Sequence, residues 1–315
     1  MGMRIRQRRK QKPEEGQADL SANTAAPYPQ IYEQFLPVEL LAMMGMDDAA
    51  SEAAGNAPGQ KELTAVILNG NIVGFQELID DMQMPEVYRF INQTLAFSIP
   101  AVYENNGFVE SFRDAGVSAL FTGDMEDGLQ AAIMICEEVV KAADGNRYRN
   151  YAIGLCRASV MAGVVGNGRK RCVLTLSAHM ELSAFLQRTA PKYYTRILAT
   201  AGYTEGVNGF DKKYNHRLLG YFYIRDMGCA EKVFDIFDGD ETAVRNRKRK
   251  TKMLFEKGVG LFVRREFAQA RGYFIEVLKA DREDRAAREY VFLCDRYRGL
   301  PAREAAGADI FIDTC

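Results

Sequence analysis

The chain has 315 residues, of which 47% are hydrophobic, 10% aromatic and 26% charged, with a formal net charge of −1. That balance excludes a wholly disordered or fibrous chain, and at roughly 150 residues per domain it predicts about two domains, each able to bury a core. The near-zero net charge gives no global basic excess for nucleic acid, and without an apolar run of about 18 residues no integral membrane segment is expected. The start, MGMRIRQRRK, is charged and no apolar stretch follows it, so no secretory signal is expected. Cysteines 136, 156, 172, 229, 294 and 315 show no C-x-x-C spacing. They read as reduced, buried thiols of a cytoplasmic protein. His179 and His216 are the only histidines, which disfavours a His-rich metal site or a His-based catalytic dyad. His179 reads as a structural residue.

Residues 1–27 read as a disordered basic arm, since six of the first twelve residues are Lys or Arg. A solvated tail is the simpler reading, and contact with acidic lipid or a partner the other. Residues 28–61 read as a short helix and a linker. Phe35, Leu40, Leu41 and Met44 predict a helix starting near Pro37, a residue tolerated in a first turn. Met43, Met44 and Met46 form either a soft interaction surface or a buried helix face. Residues 47–61 are small, polar and Gly/Pro-containing.

From 62 to 240 the pattern alternates. ELTAVILNGNIVGF is a strand-like run ending at Asn69-Gly70-Asn71. A helix follows from Met84, with Val87, Phe90, Ile91 and Leu95 on one stripe. FVESFRDAG and VSALFTG are short strands around a turn at Asp114-Ala115-Gly116. Residues 125–143 are helical, with Leu129, Ile133, Cys136 and Val140 aligned. YAIGLCRASVMAGVVG predicts two strands, then a turn at Gly166-Asn167-Gly168. A strand at 172–177, a helix at 178–189, and strands in ILAT, RLLGYFYIRD and VFDIFDGD complete the segment. Gly74, Gly163 and Gly166 read as backbone geometry in tight turns. The order β-α-β-β-α-β with extra strands predicts an α+β fold of the ferredoxin-like class, a mixed sheet with helices on one face.

Residues 241–300 read as all-α. Leu254, Gly258, Leu261, Phe262, Ala268, Ala270 and Phe274 follow the tetratricopeptide pattern, and Arg285–Tyr297 gives a third helix. One repeat and a cap are too few to stand alone, so this unit is expected to pack against something else. The run Arg245–Lys252 holds six cations in eight residues and reads as a solvated helix face, with nucleic-acid or lipid contact as the alternative. Residues 301–315 form a C-terminal tail.

Five segments resemble the class III adenylate/guanylate cyclase domain in order and spacing: EQFLPVELLAMMG, ELTAVILNGNIVGF, SFRDAGVSALF, IGLCRASVMAGVVGNG and MELSAFLQ. The stretch FDGDETAVRNRKRKTKMLFEKGVGLFVRREFAQARGYFIEVL resembles the tetratricopeptide-like tail that follows such domains in many bacterial cyclases. The resemblance covers about residues 29–298 and implies a two-metal reaction at a dimer interface. Two Asp would hold Mg or Mn ions, activating the ribose 3′-hydroxyl and neutralising the triphosphate. A Lys and a polar partner would read the base. An Asn and an Arg, one helical turn apart on the other subunit, would complete the site, the Arg stabilising charge on the transferring phosphorus.

Carried over by position, the first metal Asp falls at Asn71 and the second at Ala115, with Asp114 one residue early. The Lys falls at Ser111 and its polar partner at Leu174. The Asn falls at Glu181 and the Arg at Phe185. All six positions differ. An amide is a weaker ligand than a carboxylate for a hard cation, and Ala115 has no ligand atom. On a strand or tight hairpin the one-residue offset is expected to turn Asp114 away. Leu174 cannot hydrogen-bond a purine, Glu181 puts negative charge where a triphosphate would lie, and Phe185 removes the transition-state cation.

The resemblance therefore implies a catalytically inactive cyclase homologue acting in intracellular signalling as a dimerising, partner-binding or scaffold protein. The expected partners are a homodimer or heterodimer mate through the cyclase-like domain and a protein bound through the helical tail, with no nucleic acid. No cofactor is expected, with Mg or Mn only if residual activity exists. One alternative is residual adenylate or guanylate cyclase activity, with Asn71 and Asp114 still binding one ion. Another is a sensor of a non-nucleotide ligand, in a cleft made more apolar by Ser111, Leu174 and Phe185. A collapsed cleft favours the inactive reading, and an open apolar pocket favours the sensor.

Overall fold

Along β1 (Lys61–Ile72) the residues Ala65 to Leu68 are buried without a break. A strand buried on successive residues is covered on both faces. Val66, Leu68 and Ile72 enter one apolar cluster, and Ala65 and Ile67 enter another on the opposite face. The structure, a computed structural model, describes residues 38–44, 60–142, 147–167, 169–224 and 227–298. The basic arm, the predicted linker up to residue 59, the turn residue Gly168, Met46, Cys315 and the 301–315 tail lie outside the described residues.

A short helix α1 (Val38–Met43) precedes β1, and its Leu40 is buried. Met43 and Met44 pack against the second cluster, the buried-face reading of that methionine segment. After β1 come α2 (Phe75–Ile79), α3 (Met84–Glu104), β2 (Phe108–Arg113), β3 (Gly116–Phe121) and α4 (Met125–Lys141). Then follow β4 (Tyr151–Asn167), β5 (Lys170–Leu176), α5 (Met180–Thr189) and, past a 3-10 turn, β6 (Ile197–Thr200). Two short helices that the sequence pattern did not predict, α6 (Ala201–Thr204) and α7 (Phe210–Lys213), lead to β7 (His216–Ile224) and β8 (Cys229–Ile236). Helices α8 (Thr242–Val263), α9 (Phe267–Ala280) and α10 (Arg285–Arg298) close the described chain.

The strands form one mixed sheet in the order β2-β3-β1-β4-β6-β8-β7, with β5 paired to β4. β4 and β6 are parallel, and the other pairs antiparallel. Two expectations change. The segment expected to be two strands is the single 17-residue β4, buried on every residue from Tyr151 to Cys156 and on alternate residues from Ala158 to Ala162. Helices also cover both faces rather than one. α3 and α4 lie over the cluster containing Val66 and Ile153, whereas α5 and the three last helices lie over the cluster containing Ile67 and Ala152.

Helix α5 sits close on the sheet because Gly154 lacks a side chain. A Cβ there would collide with the Ser183 carbonyl and lie 2.8 Å from the Gln187 nitrogen. Ser183 Oγ uses that approach to donate to the Gly154 carbonyl at 2.8 Å.

Helices α8 and α9 form an antiparallel hairpin in which the Phe274 ring fills the space above Gly258. The something else against which this unit packs is the chain's own sheet. Tyr290 Oη donates to the Leu219 carbonyl at 2.9 Å, and Leu218 N–H donates to Glu256 Oε1 at 2.8 Å. One apolar cluster runs from α5 and β7 into α8, α9 and α10, so no break in the core marks residue 241.

The cationic run on α8 is only partly a solvated face: Arg249 and Lys250 are exposed, but other members turn toward the protein. Lys248 is buried, with Nζ 2.7 Å from Asp240 and 3.1 Å from Asp235. Arg247 pairs with Asp281 at 3.2 Å, and Arg245 donates to the Asp238 carbonyl at 2.9 Å. Beside Lys248, the fully buried Arg217 of β7 holds Asp235 at 3.0 Å and Asp284 at 2.5 Å, with its guanidinium 4.2 Å from the Phe255 ring centre. Thr195 Oγ1 also donates to Asp235. Buried ions are tolerated only when paired and hydrogen-bonded, and Arg217, Lys248, Asp235, Asp240 and Asp284 meet that demand.

Candidate functional site

A cleft of about 400 Å³ opens where the end of β1, the β2–β3 turn and the first turns of α5 meet. Asn71, Ser111, Asp114 and Glu181 line it, so the structure brings together four of the seven residues singled out from sequence. Ala115, Leu174 and Phe185 are elsewhere. Ala115 is buried in the core beneath the hairpin. Leu174 lies partly exposed on β5, and Phe185 packs against the apolar cluster under α5.

Asn71 comes from the last turn of the β1 pleat, and its side chain is already engaged. Nδ2 donates to the Arg113 carbonyl at 3.1 Å, and Oδ1 accepts from Ile72 N–H at 2.7 Å. The amide ties the central strand to the hairpin, with one hydrogen bond at each of its polar atoms. A Cβ at Gly116 would lie 2.5 Å from the Asn71 side chain, so Gly116 leaves the room this tie needs. After the strand, Gly74 turns the chain into α2 at φ 80°, a conformation that costs glycine little.

Asp114 and Ala115 are the two central residues of the hairpin, between the paired Arg113 and Gly116. Asp114 takes a positive φ of 54°. Neither continues a strand pleat, so strand alternation does not govern them. Asp114 lines the cleft and Ala115 is buried, the reverse of the expectation that Asp114 would turn away. β2 carries an extra residue shortly before the hairpin. Its pairing with β3 shifts between Val109 and Ser111, leaving Glu110 as an extra residue. A bulge of this kind makes spacing counted from either side of it differ by one.

Glu110 is a cleft residue that sequence reasoning missed. It accepts from Ser111 Oγ at 2.6 Å and from Thr175 Oγ1 of β5 at 2.8 Å. No motif signals it, because a bulged residue has no place in a spacing rule. Gln187 was missed too: its Nε2 donates to the Asn71 carbonyl at 3.0 Å, joining α5 to β1. Glu181 reaches Arg188 at 3.8 Å, an exposed pair of little energetic weight.

The cleft is neither collapsed nor apolar. Asp114, Glu77, Glu110 and Glu181 line it against Arg113 and Arg188. Leu174 and Phe185, expected to make it apolar, do not reach it. The residues present do not fit a pair of divalent ions. Hard cations want several oxygen ligands; at the two positions in question stand an engaged amide and a buried methyl. Among the described residues, no three His, Cys, Asp or Glu side chains gather closely enough to hold a metal ion.

The cysteines differ from the expected uniform burial. Cys136, Cys156 and Cys294 are buried, and burial pushes each thiol up to about 12. Cys172 is exposed and Cys229 intermediate. Among the described residues no helix is long and apolar enough to cross a membrane.

No protein-family model matches the chain. A relative described as an adenylate cyclase, terminal-differentiation specific, from Dictyostelium discoideum is 22% identical over 252 residues, covering 78% of this chain and 12% of the relative. An adenylate cyclase from Anabaena cylindrica is 27% identical over 134 residues, covering 42% of this chain and 26% of the relative. The chain therefore spans only a small part of the curated relatives it matches. Among solved structures, a bacterial light-regulated adenylyl cyclase superposes with a TM-score of 0.57 at 16% identity, over 70% of this chain and 65% of that one. The chain therefore shares with an adenylyl cyclase structure its mixed α+β fold, and it is similar in sequence to two adenylate cyclases.

Proposed function

We propose that this chain is a signalling module built on the cyclase fold that does not itself convert ATP or GTP to cyclic nucleotide. The observation that carries this reading is at the two ion positions: the Asn71 amide is bonded at both ends within the fold, and Ala115 is buried without a ligand atom. The acidic lining of the cleft adds to it, because a triphosphate without bound cations is repelled there. In this reading Mg or Mn has no catalytic role.

The module acts by association. Met161 and Val165 of β4 and Leu174 and Leu176 of β5 are exposed and share one face of the hairpin, with Met161 opposite Leu176. Such a strip favours pairing with a second cyclase-like domain, as a homodimer or heterodimer. The three last helices, read as a tetratricopeptide-like unit, present Met253 and Phe292 for a protein partner.

A second reading rests on Asp114. Its place in the cleft leaves one carboxylate where a single ion could support weak turnover. The purified chain is assayed for cyclic AMP and cyclic GMP with Mg²⁺ and with Mn²⁺, and its melting temperature is followed with each nucleotide. No product and no nucleotide-dependent shift is the expected result. Turnover that disappears in Asp114→Ala overturns the first reading and establishes the second.

A further inference from the structure

A second cavity, of about 290 Å³, lies between the sheet and the start of α10, and none of its lining residues belongs to the cleft described above. Arg149 reaches it from the turn before β4, Arg196 from the residue before β6, and Arg285 from the first position of α10. A neighbouring hollow of about 200 Å³ shares Arg149 and Arg285 and adds Arg288. Three arginines from three separate parts of the chain therefore line one recess, with Arg288 in the hollow beside it, its Nη2 donating to the Arg282 carbonyl at 2.6 Å.

Arg149, Arg285 and Arg288 are exposed, but the recess reaches a shielded group at Arg196. Arg196 is half-buried, and its Nη1, shielded from solvent, has no hydrogen-bond acceptor among the described residues. A buried donor left unmade is costly, and each such group calls for an explanation. The wall opposite is Tyr194, held at φ 55° in the left-handed region, with the Arg285 guanidinium 5.4 Å from its ring centre. A tyrosine in that conformation is uncommon, and here it caps the 3-10 turn, its N–H donating to the Pro191 carbonyl at 3.1 Å.

The carboxylates nearby are partly committed elsewhere. Asp240 also lines the recess and feels the Arg196 charge, but its hydrogen bond is to Lys248 at 2.7 Å, and Glu283 pairs with Arg247 at 3.6 Å. Glu241, exposed at the edge of the recess, is an acceptor for hydroxyl groups rather than a partner for an anion. Arginine forks bind phosphoryl oxygens in pairs of parallel hydrogen bonds; a carboxylate can fill one fork in the same way, but a phosphoryl group has the further oxygen and charge to engage a second.

We propose that this recess binds the phosphoryl group of a small hydroxyl-bearing phosphate, with Arg196 and Arg285 on the phosphoryl oxygens and Glu241 on a hydroxyl. Because Arg285 and Arg288 belong to α10 whereas Arg149 and Arg196 belong to the sheet, a bound phosphate bridges the last helix to the sheet.

The test is calorimetric titration of the full chain with ribose 5-phosphate and with inorganic phosphate, alongside melting curves. Saturable binding is expected, weakened at least tenfold by Arg285→Gln and by Arg196→Met and unchanged in Asp114→Ala. Arg285 is exposed, so Arg285→Gln decides the matter even where Arg196→Met fails to fold. Tighter binding of ribose 5-phosphate, lost selectively in Glu241→Gln, assigns the site to an organic phosphate; equal affinity for the two assigns it to free phosphate. No saturable binding of either probe, or binding that Arg285→Gln leaves intact, overturns the proposal.

Discussion

Arg217 shows how much a single side chain carries in this molecule. It is fully buried, and its charge is balanced only by Asp235 and Asp284. Burial works against the charged form, but the two carboxylates hold the guanidinium protonated above its usual range. Arg217→Met leaves the three buried carboxylates Asp235, Asp240 and Asp284 facing one Lys248, and a loss of about 3–5 kcal/mol in denaturant unfolding is expected. Asp284 gives the pH counterpart. Burial raises its pKa, yet the charge and hydrogen bonds of Arg217 outweigh that and hold it below the ordinary 3.8. A depressed carboxyl pKa contributes stability that is complete above 3.8 and is lost as the pH falls through the lower folded value. Asp284→Asn is therefore expected to lower stability at neutral pH and flatten its acid limb, as read by urea midpoints between pH 2 and 7. Thiol reactivity separates the cysteines in the same way. In the native protein Cys172 is expected to react with a disulfide reagent at pH 8, whereas Cys136, Cys156 and Cys294 react only on unfolding.

At the scale of the elements, Gly154 sets the distance between β4 and α5. Gly154→Ala is expected to cost about 2 kcal/mol or more, because the helix backbone in its way cannot swing aside as a flexible side chain can. The exposed strip on β4 and β5 makes its own prediction. Leu174→Lys with Leu176→Lys is expected to shift sedimentation from dimer toward monomer with little change in melting temperature; an unchanged distribution removes this strip from any interface. Much of this layer was legible in the sequence. The α3 and α4 stripes, the β2–β3 turn and the tail helices all carry clear periodicity. What was lost has physical reasons. β4 is about three times the length of an ordinary strand, so it reads as two. The helix on the second face was already implied by the unbroken AVIL and YAIGLC runs, which a one-sided sheet would have no reason to contain. The bulge at Glu110 could not be read, because it is a property of pairing and not of spacing.

At the scale of the whole molecule, the composition shift near residue 241 marks a change of secondary structure and not a change of core. The charge run on α8 looked solvated because helical spacing alone cannot show which of six cations turns inward. Lys248 does, and the partners that settle the matter, Asp235 and Asp240, lie on β8 and in the loop after it. Truncation after residue 240 is thus expected to yield an aggregating fragment rather than a smaller stable domain, as judged by yield and by dye binding to exposed apolar surface. A soluble, cooperatively melting 60–240 fragment would show instead that the sheet holds without its helices.

The buried ionic cluster also sets terms for any exchange of parts. Its Arg217, Asp235 and Asp240 lie before the apparent boundary, and Lys248 and Asp284 lie after it. A chimera joined at residue 241 from two parents inherits half of the cluster from each. Unless both halves were matched beforehand, it buries unbalanced charge at its own seam, so sheet and tail are inherited together.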